Sequence, residues 1–185
     1  MINTLELPTV ATIGNSEYAI NADFRDVFDI VCRLADPNAD DVSAYVCLAL
    51  FYDNFETMPK ELYHEAAEWM TDFINCGETD SKPQPKTIDW EQDMSMIIAD
   101  INSMLREDVR NKPFLHWWTF ISFFNGIGEG QLSTIVSIRE KIRKGKKLDQ
   151  WEREFYKKNR EKVDFKKKYS TADDEFFNAW IKKAR

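Results

Sequence analysis

Two histidines and one glycine cluster are the features that could carry chemistry. His64 stands in Glu61-Leu62-Tyr63-His64, the Glu-x-x-His spacing that sets a carboxylate and an imidazole one helical turn apart in di-iron bundles. Such a centre needs a second copy of the motif and two further carboxylates. No second copy exists here, so His64 reads as a surface imidazole. His116 lies in Leu115-His116-Trp117-Trp118 with no adjacent acid to orient it and no nucleophile nearby. Its expected role is to hydrogen-bond a carbonyl and pack among indoles. Asn125-Gly126-Ile127-Gly128-Glu129-Gly130 begins like a phosphate loop, but it follows a helical pattern and no Gly-Lys-Ser/Thr comes after it. An interhelical turn is expected there. No acid, base and nucleophile assemble, so no catalytic, metal or cofactor-binding residue is expected, and the chain reads as non-enzymatic.

Phosphate recognition is the other chemistry to weigh. Arg143-Lys144-Gly145-Lys146-Lys147 is basic, and seven of the twelve residues from Lys157 to Lys168 are Lys or Arg. Each such charge could meet a nucleic-acid phosphate. Glu152, Glu154, Glu161 and Asp164 interrupt the run at spacings that allow ion pairs along a helix. With a pI near 5.0, a solvated helix is the better reading and no nucleic-acid partner is expected. The Trp117-Trp118 pair could stack a base, yet residues 113–124 hold no Arg or Lys beside it. Core packing is expected instead.

These groups must be held by a scaffold that composition bounds. The 185 residues, 43% hydrophobic and 31% charged, suit one globular domain with an appendage. Cys32, Cys47 and Cys76 are odd in number and fit no CxxC pattern, which predicts reduced, buried thiols. The Met-Ile-Asn-Thr start lacks a basic n-region, and no run approaches the ~18 apolar residues that span a bilayer. A cytoplasmic protein without a membrane partner is expected. Charge is unevenly placed: residues 1–100 carry 20 acidic and 5 basic side chains, and residues 101–185 carry 12 acidic and 20 basic. Either the two halves neutralise each other inside the fold, or the surface is bipolar and steers a charged partner.

Two β-rich runs around Gly14-Asn15-Ser16 predict a hairpin over residues 10–20. Helical periodicity then follows. Asp23 caps a first helix carrying Phe24, Val27, Phe28, Val31 and Leu34. A second runs from about Asp40 to Tyr52 with Val42, Tyr45, Val46 and Ala49 inward, and a third opens at Met58-Pro59 and stops at Cys76-Gly77. Residues 77–88 form a polar, proline-containing loop. Asp89 with Gln92 predicts a capping box for a fourth helix, and Pro113 starts a fifth that is apolar nearly all round. A sixth holds Leu132, Ile135 and Ile138. The expected fold is mainly α: a compact multi-helix domain with an N-terminal β-hairpin over residues 1–145, and a charged, loosely docked helical C-terminal extension over residues 146–185. Trp151, Phe155, Phe176 and Trp180 have too few apolar neighbours in sequence to build a core. They are the expected partner-binding residues.

Several strings follow the hairpin in a set order. They are Ile20-Asn21-Ala22-Asp23-Phe24-Arg25-Asp26, Ala49-Leu50-Phe51-Tyr52, Cys76-Gly77, Asp89-Trp90-Glu91-Gln92-Asp93 and Leu115-His116-Trp117-Trp118-Thr119-Phe120. Together they resemble the bacteriophage gene product fifteen family of tailed phages of Gram-positive bacteria, over about residues 10–145. The segment from Leu105 to Pro113 is more charged than the family pattern, and the tail after Lys147 has no counterpart in it. The resemblance implies a cofactor-free tail assembly chaperone in the cytoplasm of the bacterial host. Such a protein binds the tape measure protein, helps recruit tail tube subunits, and is absent from the mature virion. It brings no catalytic positions. A structural tail or connector protein retained in the virion, and a small nucleic-acid-binding helical domain, are the alternatives. The uneven charge could also serve head-to-tail self-association.

Overall fold

The computed structural model describes residue 2, residues 5–78 and residues 85–166. Phe176, Trp180 and the final helix expected around them lie outside these residues, as does the middle of the 77–88 loop.

The chain is mainly helical behind an N-terminal hairpin. Strands β1 (Val10–Ile13) and β2 (Ser16–Ala19) pair antiparallel with Ala11 opposite Tyr18. Gly14 takes φ +60° in the two-residue turn between them, the conformation glycine adopts without strain. Ala11, Ile13 and Tyr18 alternate inward, so the hairpin buries one face against the helices. Its turn is pinned where the Gly14 amide donates to Glu65 Oε1 (2.9 Å).

Helix α1 (Phe24–Leu34) is capped by Asp23, whose carboxylate accepts from the Arg25 amide. Helix α2 (Asp41–Phe51) is capped by Asp40. Its phase differs from the expectation: Cys47, Leu48 and Phe51 point inward, whereas Val42, Tyr45 and Ala49 are exposed. No charged side chain follows Asp41 in this helix, so its sequence has no polar side to set the rotation. Contact with α1 and the following helix sets it instead. That helix, α3 (Tyr63–Ile74), begins after two 3₁₀ turns. It closes in a Schellman arrangement, with Cys76 at φ 57° and the Gly77 amide donating to the Asp72 carbonyl.

Helix α4 (Trp90–Leu105) starts at Asp89, which accepts from the Gln92 amide. The reciprocal half of the expected capping box comes from Asp93 rather than Gln92: Asp93 Oδ2 accepts from the Asp89 amide at 2.9 Å. Gln92 is spent elsewhere. Its side chain donates to the carbonyls of residues 161, 162 and 164 and accepts from the Lys166 amide.

Helix α5 (Trp117–Asn125) starts later than Pro113 suggested. Residues 115 and 116 run extended beside 22–24, where the Phe24 amide donates to the Leu115 carbonyl and the Trp117 amide to the Ala22 carbonyl. The cap is a histidine: His116 Nδ1 accepts from the Trp118 amide (3.1 Å). Phe51, Phe73, Trp117 and Phe120 form the middle of the core, all almost fully buried.

Helix α6 (Gln131–Arg143) follows the glycine turn, and α7 (Gln150–Lys158) and α8 (Arg160–Val163) follow α6. Residues 150–165 dock more firmly than a loose extension would. Val163 is buried, and Arg139 of α6 donates to the Val163 and Lys162 carbonyls at 2.7 Å each. Helical period alone could not show this, because two long side chains, Arg139 and Gln92, make the attachment. Among the described residues no helix is long and apolar enough to cross a membrane.

Candidate functional site

Four helices meet around an apolar groove of about 300 Å³. Val31 of α1, Ile74 at the end of α3, Trp90 of α4, and Trp117, Ile121 and Phe124 of α5 line it. Trp117 is only 1% exposed and forms the floor, while Trp90, Ile121 and Phe124 stand half-buried on the walls. The rings meet at an angle: Trp90 lies 5.9 Å from Trp117 and 5.0 Å from Phe124 between ring centres. Asn75, Glu78 and Asn125 form the polar edge.

Each wall is fixed by polar bonds behind it. The Trp117 indole N–H donates to the Ile74 carbonyl (2.9 Å), and that of Trp118 donates to the Phe73 carbonyl (2.8 Å). These two carbonyls belong to the last turn of α3, where regular helical acceptance runs out; that of Phe73 also accepts the Cys76 amide. Trp90 opens α4, whose first turn is tied to α6 through Asp93 and Arg139.

Cys76 sits in the groove's wall, and burial, with Glu78 adding to it, pushes the thiol up to about 11. A protonated thiol is a poor nucleophile. The lining is an aromatic trough with a polar rim, the composition of a site that takes apolar groups.

The histidines take the places expected of them. His64 is exposed beside Glu68 (3.6 Å). His116 is buried, its Nε2 lies 2.9 Å from the Pro8 carbonyl, and its ring meets those of Phe73 and Trp118 edge-on. Among the described residues no group of three or more His, Cys, Asp or Glu could hold a metal ion. The glycine run forms the turn between α5 and α6, with Gly130 at the N-cap of α6.

Of the side chains expected to meet a partner, Trp151 is 59% exposed on α7. Phe155, 5.4 Å from it between ring centres, is half-buried against the core. Phe176 and Trp180 fall outside the described residues. Neither Trp151 nor Phe155 lines the groove. In sequence the groove residues are indistinguishable from the apolar stripes of ordinary core helices. The available signal was the nearly continuous apolar circumference of residues 114–124, more than one helix can bury.

A family model described as Bacteriophage Gp15 protein matches residues 4–165. The match takes in α7 and α8 and so runs beyond the resemblance noted over residues 10–145. Comparison with curated proteins and with solved structures gave no match.

Proposed function

The chain belongs to the bacteriophage Gp15 protein family, and on that premise we propose that it is a non-enzymatic tail assembly chaperone needing no cofactor. In this reading it binds the tape measure protein in the host cytoplasm and helps bring tail tube subunits to it. The observation that carries the reading is the four-helix groove, a solvent-accessible trough built from Val31, Ile74, Trp90, Ile121 and Phe124 over Trp117. A long helical rod exposes apolar stripes that aggregate until they are covered, and a trough of this chemistry covers such a stripe by accepting its side chains. Release later in assembly requires each contact to be weak, with many copies along the rod supplying avidity.

Co-expression tests this directly. The wild-type chain should raise the soluble fraction of the tape measure protein, and Ile121→Glu, which puts a charge in the trough wall, should abolish the gain. An unchanged soluble fraction with the wild-type chain would overturn the reading. Analysis of purified particles supplies the second arm, since a chaperone should be missing from them and a structural tail protein present.

A further inference from the structure

Among the described residues most ion pairs form within one half of the chain and leave the imbalance between the halves in place. Asp93–Arg139 joins the first hundred residues to the rest, whereas pairs such as Arg33–Asp29, Arg110–Asp108 and Lys141–Glu152 stay within one half. The acidic half therefore presents its charge outward around α1, α2 and α3, where residues 23–72 hold twelve acidic and three basic side chains. The basic half presents its own around the end of α6 and α7, where residues 143–162 hold nine basic and four acidic ones.

Each charged surface has an exposed apolar centre. On α2, Val42, Tyr45, Val46 and Ala49 share one face by spacing. Val42 is 67% exposed, and Tyr45 is held in place against the Phe55 ring at 5.1 Å. Val42 and Val46 line a hollow of about 280 Å³ whose edge includes Asp36 and Arg33, the latter already paired with Asp29 (2.9 Å), and Asp40 and Asp41 stand at the adjoining helix start. On α7, Trp151 is the exposed group, and Lys147, Lys158 and Arg153 are exposed near it in the chain. Within one molecule neither surface covers the other, since Val42 and Trp151 are both open.

We propose that the α7 surface of one copy docks on the α2 surface of a second copy, with Trp151 entering the hollow beside Val42 and Val46 and the flanking basic residues facing Asp36, Asp40 and Asp41. Opposite charge around two apolar centres is the complementarity that sets register and partner choice. Because the two patches differ, the contact is heterologous: each copy keeps one free donor and one free acceptor face, and the assembly grows as an open array or closes as a ring. The inference does not depend on the chaperone reading.

Sedimentation of the full chain tests it. In about 50 mM salt the average mass should rise with concentration above the 21.8 kDa monomer, and in about 500 mM salt, where charges are screened beyond a few ångströms, it should fall back toward that mass. Val42→Lys and Trp151→Asp, both at exposed positions, should each remove association while circular dichroism stays unchanged. Mixed one to one, the two variants retain one intact interface between them and should form a dimer and nothing larger. A wild-type chain that stays monomeric, association indifferent to both substitutions, or a mixture that remains monomeric would each overturn the proposal. No tape measure protein enters this experiment, so its failure is separable from failure of the chaperone reading.

Discussion

Arg139 grips Asp93 with two nitrogens, at 2.5 and 2.9 Å, in a site where both side chains are almost fully buried. The remaining guanidinium hydrogens go to the carbonyls of Thr87, Lys162 and Val163, so all five donors are used. One side chain thereby joins α6 to the start of α4, to the segment before it and to α8. The Phe165 ring stacks 4.2 Å from the guanidinium carbon.

Removing one member of such a pair leaves the other charge buried and uncompensated, a loss of about 3–5 kcal/mol. Arg139→Met should lower unfolding free energy by that order in urea titration. A loss below about 1 kcal/mol would show that the network contributes little.

Truncation follows from the same contacts. A chain ending at Lys147 deprives Arg139 of the Lys162 and Val163 carbonyls and Gln92 of its carbonyl acceptors. It should melt well below a chain ending at Lys166, which keeps them all. Equal melting temperatures would mean that residues 148–166 rest on the helices without stabilising them.

His116 makes stability depend on pH. Its Nδ1 accepts the Trp118 amide, so in the neutral ring the proton sits on Nε2 and is donated to Pro8. Burial lowers the imidazole's affinity for a proton below its ordinary value of 6.5, with the Pro8 bond opposing the shift. The unfolded chain then binds the proton more tightly than the folded one. This contribution is present above pH 6.5 and is lost as pH falls through the folded-state value. His116→Asn keeps a capping oxygen and should flatten the change in urea midpoint between pH 7.5 and pH 5; an undiminished slope would assign the dependence to carboxylates.

Gly130 and Gly128 should respond oppositely to alanine. A Cβ on Gly130 would lie 2.7 Å from Asp100 Oδ2, the oxygen that accepts the Leu132 amide at 3.0 Å, whereas a Cβ on Gly128 meets nothing within 4 Å. Gly130→Ala should cost about 1 kcal/mol, as loss of a helix cap does, and Gly128→Ala should be neutral or slightly stabilising. Thermal melts of the two variants check the contrast.

How far the fold was readable depended on whether its signals were local. The hairpin was legible because Gly14 sits where positive φ is required, and α1 and α4 because charged and apolar residues alternate at helical period. The rotation of α2 was not legible, since a helix without charges after Asp41 has no sequence-encoded outside. The start of α5 was missed because its cap is an imidazole, whose nitrogen serves where Ser or Asp usually does. The groove and the Asp93–Arg139 pair were beyond reach because each joins separate segments of the chain, Asp93 and Arg139 lying 46 positions apart, and a buried arginine looks in sequence like an exposed one.

The two indoles that hold the final carbonyls of α3 have a consequence for whatever lies in the groove. That helix end cannot fray without breaking both indole hydrogen bonds, so one wall of the trough is tied to side chains of the protein's centre. An incoming chain then meets a mould already set. Its own ordering, and none of the receptor's on that side, is subtracted from the strength of the grip.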